Sequence, residues 1–176
     1  MPPAALFVFH QAVRYLYEAA EGHPRMRAVV QRVTEAQVTV GETSVARIGV
    51  GLCVLLGIAS DDTPADAESL CDKIVALRLF DDDTGKMNWP LREVDGSLLI
   101  VSQFTLYGDC RKGNRPSFTD AARPEHAMLL YEHFVKRARA ATVPVVTGQF
   151  QARMRVELVN DGPVTIVLDS RSKSRH

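Results

Sequence analysis

The chain has 176 residues, 46% of them hydrophobic, with 21 Lys and Arg balanced by 21 Asp and Glu. That length and apolar content suit one compact domain with a workable core, and the zero formal charge excludes a protein that holds nucleic acid through a bulk positive field, so any such contact is local. Three cysteines, Cys53, Cys71 and Cys110, lack C-x-x-C spacing, which argues against a disulfide framework or zinc site and for a reducing compartment.

Residues 1–25 differ from the rest of the chain. The apolar run Ala4 to Phe9 is short, has no basic stretch ahead of it and is broken by His10 and Arg14, so it makes neither a signal peptide nor a membrane span, and a cytoplasmic location is expected. Ala12 to Ala20 could form a short amphipathic helix. The extension reads as dispensable or a start-site artefact, with the domain proper running over 26–170 and a disordered basic tail over 171–176.

From Met26 to Val40 the alternation suits two short strands, and Thr43 to Ile58 reads as a hairpin turning at Gly49 to Gly51. Leu52 to Ile58 is apolar on both faces and should be a buried central strand that includes Cys53. Thr63-Pro64-Ala65-Asp66 supplies an N-cap, a proline at the first helical position and a carboxylate in the first turn. Leu70, Ile74 and Leu77 then mark the buried face of a helix that also holds Cys71. Asp81-Asp82-Asp83-Thr84-Gly85 lacks the distal Glu of a calcium loop and reads as a solvated turn. Strand character returns from Ser97 to Thr105, and a polar loop spans Gly108 to Pro116. A second helix starts near Pro124, with Met128, Tyr131, Phe134, Val135 and Ala138 facing inward. Two last strands, Gln151 to Val159 and Val164 to Asp169, flank Gly162-Pro163. The sum is an α+β domain, a mainly antiparallel, barrel-like sheet with two helices.

Chemistry is limited by what is missing. His126 and His133 lie about two turns apart on the second helix, too far for joint metal ligation, and no nucleophile elbow, phosphate-binding loop or dinucleotide fingerprint is present. Two segments remain. Ser102-Gln103-Phe104-Thr105 ends an apolar run with neutral side chains, and Asn160-Asp161-Gly162-Pro163-Val164-Thr165 sets a Gly-Pro between strands. A hydroxyl with no adjacent base is a weak nucleophile, whereas neutral donors and backbone N–H groups can hold a developing oxyanion. Such a site suits an activated substrate that carries its own proton-transfer group, as an aminoacyl ester on a ribose does; the plainer alternative is that these residues merely finish a strand.

Those two segments, with Met26-Arg27-Ala28-Val29-Val30-Gln31-Arg32-Val33 and Lys112-Gly113-Asn114-Arg115-Pro116-Ser117-Phe118, resemble the D-aminoacyl-tRNA deacylase (D-tyrosyl-tRNA deacylase) family from Met26 to about Ser170. The resemblance implies a homodimer that hydrolyses the ester of D-amino acids on tRNA and removes glycine mischarged on tRNA(Ala), with no cofactor, metal or membrane. It implies a pocket wall of Ser102, Gln103, Phe104 and Thr105, into which Gly162 and Pro163 of a partner project through a cis peptide. In the family that threonine has been regarded as a nucleophile; the missing base here implies instead that backbone groups near Phe104 and Thr105 orient the ester while the ribose 2′-hydroxyl assists. A cis Gly-Pro would aim two carbonyls at the α-ammonium, leaving space for a D side chain and none for an L one. Phe150 and Met154 match positions around the terminal adenine, with ordinary sheet core as an equal alternative. Arg27 matches a brace for the Gly-Pro loop, a surface strand-start arginine being the duller reading.

For phosphate contacts the loop cations Arg111, Lys112 and Arg115 are preferred over Lys136, Arg137 and Arg139 on the second helix. Two competing readings stay open. One is an RNA-binding module without turnover; the other is an editing enzyme of relaxed stereochemistry with a trans Gly-Pro. A metallopeptidase or a free D-amino-acid hydrolase is disfavoured by the lack of ligands.

Overall fold

Ala28, Val30, Val33, Ala36 and Val38 are buried along a single strand, β1 (Arg27–Val40, 14 residues), in the computed structural model, which describes residues 25–170. The readings made for residues 12–20 and 171–176 lie outside the described residues. The expected pair of short strands is thus continuous. β1 pairs with β8 (Met154–Asp169) from Arg27 to Val40, and its other edge is shared by β2 (Thr43–Ile48), opposite Ala36 to Val40, and β3 (Gly51–Gly57), opposite Arg27 to Val33.

β2 and β3 therefore run in the same direction along β1 and are not the hairpin read from Thr43 to Ile58. The glycine at 51 serves close approach rather than reversal. A Cβ there would lie 2.0 Å from the Ser97 carbonyl oxygen, so only glycine lets β3 pass β6 (Ser97–Ser102) at this point.

β3 is buried and central, as its two-sided apolar pattern requires, pairing antiparallel with β1 and parallel with β6. β6 in turn pairs parallel with β7 (Val145–Thr147). The six-stranded barrel-like sheet is consequently mixed rather than wholly antiparallel. Parallel neighbours need crossover connections, and the two helices supply them: α1 (Pro64–Ala76) lies between β3 and β6 in the chain, and α2 (Pro124–Ala140) between β6 and β7. A separate hairpin of β4 (Arg78–Asp81) and β5 (Met87–Pro90) surrounds the acidic turn, where the Asp82 carboxylate accepts the Thr84 N–H (2.8 Å), the Lys86 N–H (3.2 Å) and the Asn88 amide (3.1 Å). It is a self-bonded turn, as expected, and has no need of calcium to close.

α1 opens with a reciprocal capping box between Thr63 and Asp66, and Pro64 occupies its first turn. α2 buries Tyr131, Phe134, Val135 and Ala138 as its spacing predicts, but Leu130 takes an inward place and Met128 stays 39% exposed. Arg137 grips Asp72 through two 2.7 Å bonds and His133 meets Glu68 at 2.8 Å, tying α2 to α1. Phe134, Leu70 and Ile74 pack on one face of the sheet, while Val33, Val38, Ile48, Cys53 and Leu99 form a second cluster.

A buried carboxylate holds the corner where β1 begins and β3 ends. The two oxygens of Asp62 accept the N–H groups of Met26 and Ala59 at 2.7 Å each, and its carbonyl meets His126 Nε2 at 3.1 Å. Burial pushes this carboxyl up to about 6, against the two backbone bonds that favour its charge. With its folded pKa above the unfolded value, the stabilisation that Asp62 contributes is complete below the ordinary carboxylate range and declines as pH rises through about 6. Asp62→Ala, which strands two buried donors, is expected to cost about 3 kcal/mol. Urea denaturation should find that cost larger near about pH 5 than near about pH 7.

Candidate functional site

At the end of β6 the chain leaves the sheet at Ser102 and tightens into a 3-10 turn, Phe104–Tyr107. The Gln103 N–H donates to the Leu56 carbonyl at 2.8 Å, which keeps the turn against β3. Gly57 makes that contact possible. A Cβ there would meet the Tyr107 ring at 3.0 Å, the Gln103 carbonyl at 3.1 Å and Leu106 Cβ at 3.2 Å. Tyr107 is buried beneath, its hydroxyl donating to the Gly57 carbonyl (3.2 Å) and to that of Arg25.

Arg27 belongs to this turn. Its guanidinium lies 5.4 Å from the centre of the Tyr107 ring, donates to the Leu106 carbonyl at 3.3 Å and pairs with Asp169 at 3.1 Å. Within one copy of the chain the contacts of Arg27, the residue matched to a brace for the Gly-Pro loop, secure the end of β8 and the 3-10 turn.

Ser102, Gln103 and Phe104 line a cavity of about 670 Å³ together with Phe118, Phe150 and Met154. The fold therefore brings the neutral polar segment together with both residues matched to the adenine. Phe150 also packs on Tyr131, ring centres 5.5 Å apart, so it belongs at once to the core and to the cavity. Phe104 is 59% exposed and meets Phe118 edge to face at 5.1 Å. Thr105 is exposed and does not line the cavity; its hydroxyl oxygen accepts the side-chain amide of Gln103. The first hydrogen bond of the turn is Leu106 N–H to the Gln103 carbonyl, at 3.3 Å, which leaves the N–H groups of Phe104 and Thr105 ahead of it as donors.

Gly162 and Pro163 stand elsewhere, exposed and outside the cavity lining, joined by a cis peptide bond. β8 is one strand across them instead of the two expected. In its ladder with β1, Asn160 pairs with Val33 and Thr165 with Gln31, so residues 161–164 bulge out opposite Arg32 alone. Asn160 closes the base of the bulge: its side-chain oxygen accepts the Val164 N–H at 2.7 Å, and its amide reaches the Val164 carbonyl (3.2 Å) and the Thr165 hydroxyl (3.1 Å).

Arg32 secures the bulge further out. Its side chain is 7% exposed; Nε donates to the Asp161 carbonyl at 3.1 Å, and Nη1 donates to the Leu79 carbonyl at 2.7 Å. Gly162 has φ +131°, and a Cβ there would press on Val164 Cγ2 at 2.6 Å and Arg32 Nη2 at 3.3 Å. Neither Arg32 nor Asn160 was singled out by sequence reasoning. The signal for Arg32 was available: it occupies the inward phase of the strand, in step with Ala28 and Val30.

Burial pushes the thiols of Cys53 and Cys71 up, to about 11 and about 12, so both stay protonated near neutrality. Among the described residues no group of three or more His, Cys, Asp and Glu is arranged to hold a metal ion, and no helix is long and apolar enough to cross a membrane. In the polar loop Arg111 is clamped by Asp109 through bonds of 2.9 and 2.8 Å, while Lys112 and Arg115 are exposed.

Residues 29–169 match the family model described as D-Tyr-tRNA(Tyr) deacylase. The D-aminoacyl-tRNA deacylase of Clostridioides difficile is 60% identical over 149 residues, covering 85% of this chain and 99% of the relative. That of Thermotoga petrophila is 57% identical over 145 residues, 82% of this chain and 97% of its own. Among solved structures, a c-Myc DNA unwinding element binding protein superposes with a TM-score of 0.77 at 44% identity, covering 81% of this chain and 97% of that one.

The contact distances around Gly57 leave no room for a methyl group between the turn and β3. Gly57→Ala is expected to destabilise by about 1–3 kcal/mol through overpacking. A crystal structure of the variant should show residues 103–107 lifted from β3, with the cavity wall displaced.

Proposed function

This chain belongs to the D-Tyr-tRNA(Tyr) deacylase family, and on that premise we propose that it hydrolyses the ester joining a D-amino acid to tRNA, releasing the free amino acid and the tRNA. It is a carboxylic ester hydrolase. The observation that carries the mechanistic reading is the hydroxyl of Thr105, which accepts the Gln103 amide and has no basic partner among the described residues, while His126 and His133 are bonded to Asp62 and Glu68. A nucleophilic threonine needs a base to take its proton. Catalysis instead rests on positioning: the N–H groups of Phe104 and Thr105 hold the carbonyl oxygen as charge develops on it, a water molecule attacks the carbonyl carbon, and the neighbouring 2′-hydroxyl of the terminal ribose assists in passing a proton to the ribose oxygen that leaves.

The cavity suits the terminal nucleoside. It is walled by Phe118, Phe150 and Met154, with Ser102, Gln103 and Gln151 as its polar side chains, a balance appropriate to a flat base joined to a polar ester. What its lining lacks is a carboxylate to hold the α-ammonium. Exposure of Gly162 and Pro163, and their absence from the cavity lining, support a homodimer in which a second copy inserts the backbone carbonyls of this loop. An amine held there and an ester held at Phe104 fix two directions at Cα, so an L side chain collides with backbone while a D side chain or the hydrogen of glycine does not. Rejection by collision predicts tolerance of many side chains, including removal of glycine from tRNA(Ala). A cytoplasmic site of action is part of the same proposal, since that is where aminoacyl-tRNA is formed and used.

Purified protein should deacylate D-tyrosyl-tRNA and spare L-tyrosyl-tRNA, with the same rate when a chelator is added. Tight tRNA binding without release of amino acid would overturn the enzymatic reading. Thr105→Ala should retain activity within about tenfold of the parent, because no activated nucleophile is removed. Single-turnover rates measure this, and a loss beyond about a hundredfold with unchanged tRNA affinity would make Thr105 the nucleophile.

A further inference from the structure

The β4–β5 hairpin forms its own two-stranded sheet, apart from the six-stranded one, yet it meets the Gly162–Pro163 loop through one side chain. We propose that this hairpin sets the position of the loop, with Asp81 as a positioning residue that acts through the guanidinium of Arg32. The inference rests on the reading that the loop receives the substrate amine.

Arg32 faces both elements at once. Toward the hairpin, Nη1 donates to the Leu79 carbonyl at 2.7 Å and lies 3.5 Å from Asp81 Oδ1; toward the loop, Nε donates to the Asp161 carbonyl at 3.1 Å and lies 3.2 Å from Asp161 Oδ2. A guanidinium is planar and rigid, so a shift of its Nη1 edge is carried to its Nε edge. Because the Cβ that Gly162 lacks would fall 3.3 Å from Nη2, the cation also backs directly onto the residue next to the proposed amine acceptors.

Charge balance makes Asp81 more than decoration. The arginine is buried, and its two counter-charges, Asp81 and Asp161, are half-exposed on opposite sides. Without Asp81 the cation is drawn toward Asp161 alone and away from the Leu79 carbonyl, taking the Asp161 carbonyl and Gly162 with it. A partly exposed ion pair at 3.5 Å contributes little to global stability, so the two effects separate experimentally. Asn160 continues to close the base of the bulge, which limits the movement to residues 161–163.

The test compares Asp81→Ala, Asp81→Asn and Asp81→Glu with the parent full chain. kcat/KM is measured for D- and L-tyrosyl-tRNA, and each protein is unfolded in urea. Asp81→Ala and Asp81→Asn should lower the D-over-L ratio by about threefold to tenfold, with an unchanged urea midpoint and unchanged KM for the tRNA, and Asp81→Glu should recover most of the loss. An unchanged ratio, or a loss that tracks the urea midpoint, overturns the proposal. Gly162→Ala separates the two levels, since its Cβ would press on Val164 and on Arg32. If that variant lowers the ratio and the Asp81 variants do not, the hairpin proposal alone fails. If it leaves the ratio intact, the reading of the loop as amine acceptor fails, and the hairpin proposal with it.

Discussion

A guanidinium cannot be buried without acceptors around it, and the way Arg32 meets that requirement organises one end of the molecule. The residue sits on the core phase of β1, opposite the interruption in the pairing of β8. An arginine there needs oxygen atoms brought to it. The four-residue bulge of β8 supplies the Asp161 carbonyl, and the β4–β5 hairpin supplies that of Leu79. Loop and hairpin thus share one buried cation, and the exposed Gly162–Pro163 segment projects from a supported base.

The other constraint is close packing beneath the 3-10 turn. With no side chain at Gly57, the turn lies directly on β3; the Arg27 guanidinium takes up the turn's Leu106 carbonyl, and the Tyr107 hydroxyl ties the turn to the Gly57 carbonyl at the end of β3. This holds Gln103 and Phe104 on the cavity wall without any charged group entering it. The resulting chemistry is that of neutral dipoles, fixed in advance by the fold. It suits a reaction whose substrate is already activated and brings its own hydroxyl group.

These two regions are built from opposite materials, a buried charge in one and a missing methyl in the other, and neither completes a site for an aminoacyl ester. The cavity wall offers polar side chains and apolar surface, while Gly162 and Pro163 are exposed and lie outside the lining of their own cavity. The proposed function therefore divides the work between two copies of the chain.

Short-range features were legible in the sequence because their causes lie within a few residues. The capping box of Thr63 and Asp66, the self-bonded Asp82 turn, the two-sided apolar run of β3 and most of the inward face of α2 all depend on neighbours along the chain, and each is found where its pattern predicts. The order of the motif segments sufficed for the family. What it left undetermined were relations across the fold: that Gly49 to Gly51 carries the chain from β2 to β3 along the same edge of β1 instead of reversing it, that Arg27 serves the 3-10 turn while Arg32 serves the loop, and that a short hairpin at 78–90 reaches that loop at all. Arg27 and Arg32 are equally polar letters on the same strand. Only the tertiary structure decides which carbonyls surround each one, because an arginine takes its role from acceptors that folding carries to it from more than forty residues away.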